Sequence, residues 1–241
     1  GVFHIGSKII DHLRQSNDLP NNYELIFESY RFACLLHDVG HSPFSHTFEK
    51  YFDNQYSGLK GILCNLVKEE LFKREWKSQA DPSAAHERMS AIVALGIYNE
   101  FIVSKGASPE LVARMIIGLK YENKSIFSYE NAMIDLIHGD VIDADGLDYV
   151  CRDTWASGYC NSCVDIERLI DSIKIIKNNN GVYELCYTSK CLNEIESVLR
   201  IKTFQQHYVI NHHKVAYEQR LLVKAMESAA VFHILGVENT N

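Results

Sequence analysis

The chain has 241 residues, 46% of them hydrophobic and 23% charged, which is the composition of a globular protein with enough apolar material for a substantial core. Its formal net charge of -7 and isoelectric point near 5.9 argue against nucleic acid or an anionic membrane as the main partner, because both favour a basic surface. No apolar run approaches the ~20 residues of a membrane span, so we expect no membrane partner.

The seven cysteines are an odd number, which is typical of reduced thiols and indicates a cytoplasmic location. The C-x-x-C pair, Cys160 and Cys163, lacks the second pair that a four-ligand zinc site requires, so we interpret it as structural. The chain opens inside an amphipathic helix without an initiator methionine, and we expect it to be part of a longer protein.

Helical periodicity dominates the chain and predicts an all-α fold, with at most a short β-hairpin or edge strand near residues 182–187. That β-prone stretch follows the strongest turn in the sequence, at residues 178–181. The predicted helices cover residues 1–15, 23–39, 43–56, 59–76, 84–104, 109–121, 128–138, 142–157, 165–177 and 192–235, the last with a bend near Asn211.

The most informative stretch is residues 35–49, LLHDVGHSPFSHTFE, which concentrates side chains that bind metals or transfer protons. These side chains are His37, Asp38, His41, His46 and Glu49. The first two come at the end of a predicted buried helix, where an isolated carboxylate is costly unless a cation or a hydrogen-bond network holds it. The stretch therefore indicates a polar site with a bound cation.

The sequence predicts how this stretch turns. Gly40 is expected to end the helix, Ser42 to cap a second one and Pro43 to occupy its first position. His46 and Glu49 are three residues apart, so on that second helix they share a face and look back toward the turn.

The run HDVGHSPFSH resembles the HD-domain phosphohydrolases, and among them the deoxynucleoside triphosphate (dNTP) triphosphohydrolases. The resemblance implies an HD-domain helical bundle in which His37 and Asp38 bind a divalent metal ion. It also implies that His46, held by Glu49, is the general acid and that His41 lies over the phosphates. The cation is expected to be manganese, iron, magnesium or zinc, since all four accept histidine and carboxylate ligands.

A second stretch, residues 143–153 or DADGLDYVCRD, places Asp145, Tyr149 and Asp153 four residues apart, on one face of a helix. From the residues alone, a solvated polar face is the favoured explanation of this spacing. The stretch also resembles the one that completes the metal site in dNTP triphosphohydrolases. That resemblance makes Asp145 a distant metal ligand and has Tyr149 and Asp153 contact the deoxyribose.

The resemblance assigns further substrate contacts to His86, His207 and Lys214. For His86, a histidine at a helix N-terminus with a structural role is the alternative. The family often carries an arginine and a tyrosine where this chain has Thr203 and Asn211, so Lys214 and Arg220 are the candidates to replace the lost phosphate contact. The family's first metal-ligand histidine is expected just upstream of residue 1.

The resemblance implies a division into a catalytic core, residues 1–178, and a helical extension, residues 179–241, that completes the nucleotide pocket. It implies hydrolysis of a dNTP at the α-phosphorus, releasing deoxynucleoside and tripolyphosphate, by a homo-oligomer. Three alternatives stay open: an HD-domain phosphodiesterase or nucleotidase with another nucleotide substrate, a nucleotide-binding regulatory module that has lost its chemistry, and a purely structural helical domain.

Overall fold

The computed structural model describes residues 1–49, 58–139, 142–158 and 164–231. Within these ranges the chain is helical apart from one two-stranded antiparallel sheet, so the predicted all-α fold is confirmed. Cys160, Cys163 and the second half of the predicted helix over residues 43–56 lie outside the described residues. No helix in the described ranges combines the length and apolar composition that a membrane span needs.

The α-helices are numbered in chain order. They are α1 Val2–Leu13, α2 Tyr23–Leu36, α3 Leu59–Leu66, α4 Glu70–Ser78, α5 Ala85–Ile97, α6 Asn99–Ser104, α7 Pro109–Ile117, α8 Ser128–Asp135, α9 Ala144–Ser157, α10 Ile166–Ser172, α11 Leu192–Gln205 and α12 His213–Val231. The shorter helical turns are the 3-10 turns Ser45–Phe48 and Ser189–Cys191 and the π-helical turn Gln206–Ile210.

Helix α7 is the centre of the core, because every one of its residues except Pro109 is buried. Its limits follow from the sequence: the Ser108 hydroxyl accepts a hydrogen bond from the Leu111 amide, Pro109 occupies the first turn, and Gly118 ends the helix with φ of 69°. Helices α2 and α5 both pack on α7, and α1 packs on α2 and α9. The core therefore fixes the relative positions of α2, α5 and α9, which carry the polar residues described below.

One ionic group is enclosed in this core. The Arg114 guanidinium is fully buried, forms an ion pair of 2.7 Å with Glu75 and a second with Glu110, and lies 3.8 Å from the ring centroid of Tyr121. The Tyr121 hydroxyl donates to the other oxygen of Glu110, at 2.7 Å. This Arg114 network connects α4, α7 and the segment that follows α7.

The hairpin predicted near residues 182–187 is present, with strand β2 at Tyr183–Tyr187. The prediction of a helix over residues 165–177 is wrong in its second half, which forms the partner strand. Strand β1, Ile173–Lys177, pairs with β2 antiparallel, with Ile175 opposite Leu185, where a helix through residue 177 was predicted. The side chains of Ile173 and Ile175 are buried and Lys174 between them is exposed, which is the two-residue alternation of a strand.

Three other predicted helices differ from the structure. The one over residues 59–76 is divided between α3 and α4, and the one over 84–104 between α5 and α6. The helix expected to begin at Pro43 does not form there, because Phe44 and Ser45 have φ of 65° and 54°, in the left-handed region. In the described part of this stretch, which ends at residue 49, a 3-10 turn over residues 45–48 follows. The break expected near Asn211 is present between α11 and α12.

Candidate active site

Helix α2 ends at Leu36 and delivers His37 and Asp38, and the first turn of α9 brings Asp145 to the same place. The His37 Nε2 atom lies 3.5 Å from a carboxylate oxygen of Asp145 and 3.6 Å from one of Asp38. One ligand atom from each of the three residues falls within 4.8 Å of the others. The structure thus brings together the three residues predicted as metal ligands, here called the His37 cluster.

The His37 ring is oriented for binding a cation. Its Nδ1 atom lies 3.2 Å from the carbonyl oxygen of Cys34, which can only accept, so Nδ1 carries the proton. Nε2 then presents its lone pair to the carboxylates, and it is a buried atom without a hydrogen-bond partner. A backbone carbonyl that fixes the tautomer is the usual support of a metal-binding histidine, so these residues fit a divalent cation.

Charge in the His37 cluster is unbalanced toward the negative side. Burial lowers the pKa of His37, but Asp145 and Asp38 raise it by more, so the net shift is upward. Burial raises the pKa of Asp145, and His37, Arg152 and Lys202 together lower it by more, so the net shift is downward. Two carboxylates share one imidazole, and a bound cation would supply the missing positive charge.

The surroundings of Asp38 differ from the prediction of a buried carboxylate. Its side chain is 53% exposed, and the neighbouring Leu35 and Val39 are 56% and 46% exposed, although Leu36 and Phe32 are buried as expected. The reason is that the His37 cluster opens onto a cavity of about 400 Å³ rather than onto the core. Ligands can therefore reach the cluster from solvent.

Next to the His37 cluster lie three histidines, His41, His46 and His86, here called the histidine cluster. The rings of His41 and His86 are stacked with centroids 4.2 Å apart, and the His46 ring meets both edge-on at 5.0 and 5.2 Å. One nitrogen from each falls within 4.8 Å of the others, so this set has the spacing to hold a cation or to bind an anion when protonated.

Glu49 organises the histidine cluster. One of its carboxylate oxygens lies 2.9 Å from Nδ1 of His46 and the other 2.6 Å from Nδ1 of His86. Because a carboxylate only accepts, both Nδ1 atoms donate and both Nε2 atoms are directed away from Glu49. Burial raises the pKa of Glu49, but the hydrogen bonds from His46 and His86 lower it by more, to about 2. Burial and the neighbouring His86 lower the pKa of His41.

Gly40 separates the two clusters in the chain and brings them against α5. A Cβ atom added at Gly40 would lie 2.6 Å from the backbone carbon of Met89, so two backbones are in direct contact here. The Gly40 amide donates to the Ser90 hydroxyl at 2.9 Å. Only glycine allows this approach.

Glu87 and His138, whose contact was not predicted from the sequence, stabilise the first turn of α5. Glu87 accepts a hydrogen bond from the Ala84 amide with one oxygen, and its other oxygen lies 3.0 Å from Nε2 of His138. Hydrogen bonding to Glu87 raises the pKa of His138, and burial opposes the shift. This contact fixes the helix turn that presents His86.

The polar stripe predicted for residues 145–153 lies on α9. Tyr149 is half-buried and its pKa is raised by burial and by the charges of Asp143, Asp145 and Asp153. Asp153 is 52% exposed and lies 3.3 Å from the Arg152 guanidinium. Tyr149 therefore follows the metal-ligand candidate Asp145 along one helix face, as the spacing predicted.

Two predicted substrate contacts are not joined to this site by a contact in the described residues. His207, in the π-helical turn, and Lys214, in the first turn of α12, are both exposed, and neither pairs with either cluster there. The lysine at the site is Lys202 of α11, whose ammonium lies 3.3 Å from Asp143 and 5.7 Å from the ring centroid of Tyr149. Lys202 is 59 residues from Asp143 in the chain, and no local pattern connects them.

Comparison with known proteins identifies the family of this chain. The HD domain family model matches residues 1–149 of the chain. Among curated proteins, an uncharacterized Mycoplasma pneumoniae protein is 32% identical over 167 residues, covering 69% of this chain and 33% of the relative. A Dictyostelium discoideum protein, named as a deoxynucleoside triphosphate triphosphohydrolase SAMHD1 homolog, is 25% identical over 217 residues, covering 89% of this chain and 36% of the relative.

A solved structure gives the same picture of the fold. The crystal structure of a phosphohydrolase from Bacteroides thetaiotaomicron superposes with a TM-score of 0.67 at 21% identity, covering 99% of this chain and 48% of the other. The chain thus spans between a third and a half of the length of the relatives it matches.

Proposed function

This chain belongs to the HD domain family, and on that premise we propose that it is a metal-dependent phosphohydrolase that converts a dNTP into a deoxynucleoside and tripolyphosphate. The observation that carries the proposal is the arrangement of two adjacent groups with different chemistry. One is a carboxylate-rich cluster around His37, and the other is a set of histidines oriented by Glu49.

In this proposal His37, Asp38 and Asp145 hold the divalent cation. When bound, such a cation activates water and neutralises charge that develops on the attacked phosphate. In the neutral ring the carbonyl of Cys34 keeps the His37 proton on Nδ1, so Nε2 is the nitrogen that faces the cation. The half-exposed Asp38 and Asp145 leave the cation side of the pocket open to the triphosphate.

His46 is proposed as the general acid. Its side chain is 67% exposed, so its Nε2 can reach the 5′-oxygen of a leaving deoxynucleoside. Glu49, ionised down to a pH of about 2, accepts from Nδ1 and stabilises the imidazolium form that must donate the proton. Histidine is the side chain that most often transfers protons in enzymes, which suits it to protonate an alkoxide leaving group.

His41 and His86 are proposed to contact the phosphates. Their stacked rings lie beside His46, and His86 shares Glu49 with it. Imidazole nitrogens in this position donate hydrogen bonds to phosphate oxygens when they carry a proton. His207 and Lys214 stay predictions as further contacts to the nucleotide.

Tyr149 and Asp153 are proposed to read the sugar. A tyrosine ring against C2′ leaves no room for a 2′-hydroxyl, and a carboxylate accepts from the 3′-hydroxyl, so a substrate without that hydroxyl leaves the acceptor unpaired. These contacts favour deoxynucleotides over ribonucleotides. A homo-oligomeric state, a cytoplasmic location and the division at residue 178 stay predictions from the sequence.

The test is product analysis. The protein is incubated with Mn²⁺ and each of the four dNTPs in turn, and chromatography separates deoxynucleoside, deoxynucleoside monophosphate, tripolyphosphate and inorganic phosphate. Deoxynucleoside together with tripolyphosphate is the expected result. A parallel reaction with GTP in place of dGTP tests the sugar preference, and Tyr149→Ala is expected to narrow the difference between the two.

Two other results would contradict the proposal and identify its replacement. Release of monophosphate or inorganic phosphate would assign the chain to a phosphodiesterase or nucleotidase type of HD-domain enzyme. Nucleotide binding without any turnover, under conditions in which Mn²⁺ binds, would indicate a regulatory module.

A further inference from the structure

Lys202 reaches the candidate site from α11 and contacts α9 in two consecutive turns. Its ammonium forms an ion pair of 3.3 Å with Asp143, the residue that caps α9. The same ammonium lies 5.7 Å from the ring centroid of Tyr149, further along α9. The Lys202 side chain is 18% exposed and that of Asp143 is 11% exposed. The largely desolvated Lys202 ammonium is therefore close to one residue before and one residue after the candidate metal ligand Asp145.

Asp143 has two tasks in this arrangement. One carboxylate oxygen accepts a hydrogen bond of 2.5 Å from the Gly146 amide, and the other pairs with Lys202. The hydrogen bond closes the first turn of α9 around Asp145. Without the Lys202 ammonium, the enclosed Asp143 carboxylate would lose its ion-pair partner, and the cap would weaken.

The Lys202 ammonium lies against the backbone of α9 at Gly146. A Cβ atom added at Gly146 would lie 2.8 Å from Cε of Lys202 and 2.9 Å from the Asp143 carboxylate. The end of the lysine side chain thus rests on the bare backbone of α9. A single methyl group at position 146 would displace the ammonium without removing either charged group.

We propose that Lys202 is a positioning residue, which sets the orientation of Asp145 toward the cation through Asp143 and that of the Tyr149 ring toward the sugar. The inference rests on the proposed function, because it assumes that Asp145 binds the cation and Tyr149 the deoxyribose. It differs from the sequence-based expectation, which looked for the additional cation at Lys214 or Arg220.

Two variants test whether Lys202 positions the site residues or only stabilises the fold. Lys202→Met removes the charge and keeps most of the side-chain volume. Gly146→Ala keeps both charges but moves the ammonium, and since alanine is favoured over glycine inside a helix, its cost to stability is offset by ~0.5–1 kcal/mol. Arg200→Met is the matched control, because Arg200 lies on the same helix and pairs with Glu196 with its side chain 77% exposed.

The experiment is a calorimetric titration of each variant with Mn²⁺ alone, next to thermal unfolding in the absence of metal. We expect Lys202→Met and Gly146→Ala to weaken Mn²⁺ binding by about tenfold or more, as is usual when a residue supporting a metal ligand is removed. Arg200→Met should bind as the wild type does. Gly146→Ala should unfold close to the wild-type temperature, so its loss of affinity would not reflect loss of the fold.

In dNTP hydrolysis both variants are expected to raise KM as well, through Tyr149. Wild-type affinity for Mn²⁺ in both Lys202→Met and Gly146→Ala would overturn the inference and leave the proposed function intact. A wild-type protein that binds no divalent cation would overturn the proposed function and the inference together. The wild-type titration thus separates the two failures.

Discussion

The Arg114 network and the His37 cluster each bring two carboxylates to one basic side chain, but they are built for different purposes. Arg114 is fully buried, and its guanidinium pairs with Glu75 and Glu110 while Tyr121 donates to the second of these. The His37 cluster lies on a cavity, its Asp38 and Asp145 are 53% and 40% exposed, and the Nε2 atom between them has no hydrogen-bond partner.

The difference lies in where the balancing charge comes from. Arginine is always protonated and spreads its charge over several donors, so the network satisfies much of its own charge. Histidine supplies a full positive charge only when both ring nitrogens are protonated. In the neutral His37 ring the one N–H group donates to the carbonyl of Cys34, so no proton faces the two carboxylates. The first arrangement maintains the fold, and the second leaves a place for an external cation.

The largest effect is expected at Arg114. Arg114→Ala leaves Glu75 and Glu110 buried without their cation, and breaking a buried pair in this way costs about 3–5 kcal/mol of unfolding free energy. Urea denaturation with and without Mn²⁺ measures the cost, which should be the same in both. Arg200→Ala, the exposed control, should cost less than ~1 kcal/mol. Equal costs for the two variants would contradict a self-contained network.

His46→Ala tests whether the histidine cluster acts separately from the His37 cluster. We expect Mn²⁺ binding to be unchanged and dNTP turnover to fall by about 10²–10⁴-fold, the usual contribution of a general acid. Calorimetry and single-turnover kinetics measure the two quantities independently. Unchanged turnover would remove His46 from the mechanism, and a parallel loss of Mn²⁺ affinity would mean that the two clusters form one metal site.

Asp145→Asn tests whether the His37 cluster stabilises the protein only when a cation is bound. In metal-free buffer this partly exposed residue should contribute under ~1 kcal/mol to stability. With Mn²⁺ at 100 times the wild-type Kd, the wild type should gain about 2.7 kcal/mol and the variant much less. Thermal unfolding over a series of Mn²⁺ concentrations gives both values, with the exposed Asp171→Asn as control. A full metal-dependent gain in Asp145→Asn would exclude Asp145 as a ligand.

The smallest effect is expected at His138. Its pKa is raised in the folded protein by the hydrogen bond to Glu87, so its contribution to stability is complete below the ordinary histidine pKa of about 6.5 and is lost as the pH rises through the raised value. The stability difference between the wild type and His138→Gln should therefore be larger at pH 5.5 than at pH 8.5, measured by urea denaturation. Glu87→Gln should remove most of this pH dependence, and an unchanged pH dependence would show that another group titrates.

Most of the helical framework could be predicted from the sequence, because amphipathic periodicity and capping residues such as Ser108 are local signals. The helix predicted over residues 109–121 nevertheless ends at Ile117, before the left-handed Gly118. The errors have equally local causes. The left-handed backbone at Phe44 and Ser45 overrides a favourable cap and proline. The helix predicted through residue 177 overlooked the isoleucines at positions 173, 175 and 176, whose β-branched side chains favour a strand.

In the candidate site, too, some residues could be predicted from local sequence and others could not. His37, Asp38, His41, His46 and Glu49 are found from one continuous motif, and Asp145 from a second. The contacts that support them are between residues far apart in the chain, such as Lys202 with Asp143 and His138 with Glu87, and no periodicity or spacing announces them. His207 and Lys214 have matching residue types, but a motif alone does not fix where an exposed side chain lies.

The glycine between the two clusters has a consequence for how this site can be altered. Gly40 allows its backbone to touch that of α5, the helix carrying His86, so the spacing between the chain segment bearing His37 and Asp38 and that helix is already at its minimum. Any side chain at position 40 can only widen the gap. Adapting the site to a larger or smaller ligand is therefore expected at the residues that line the cavity, while the spacing at Gly40 stays fixed.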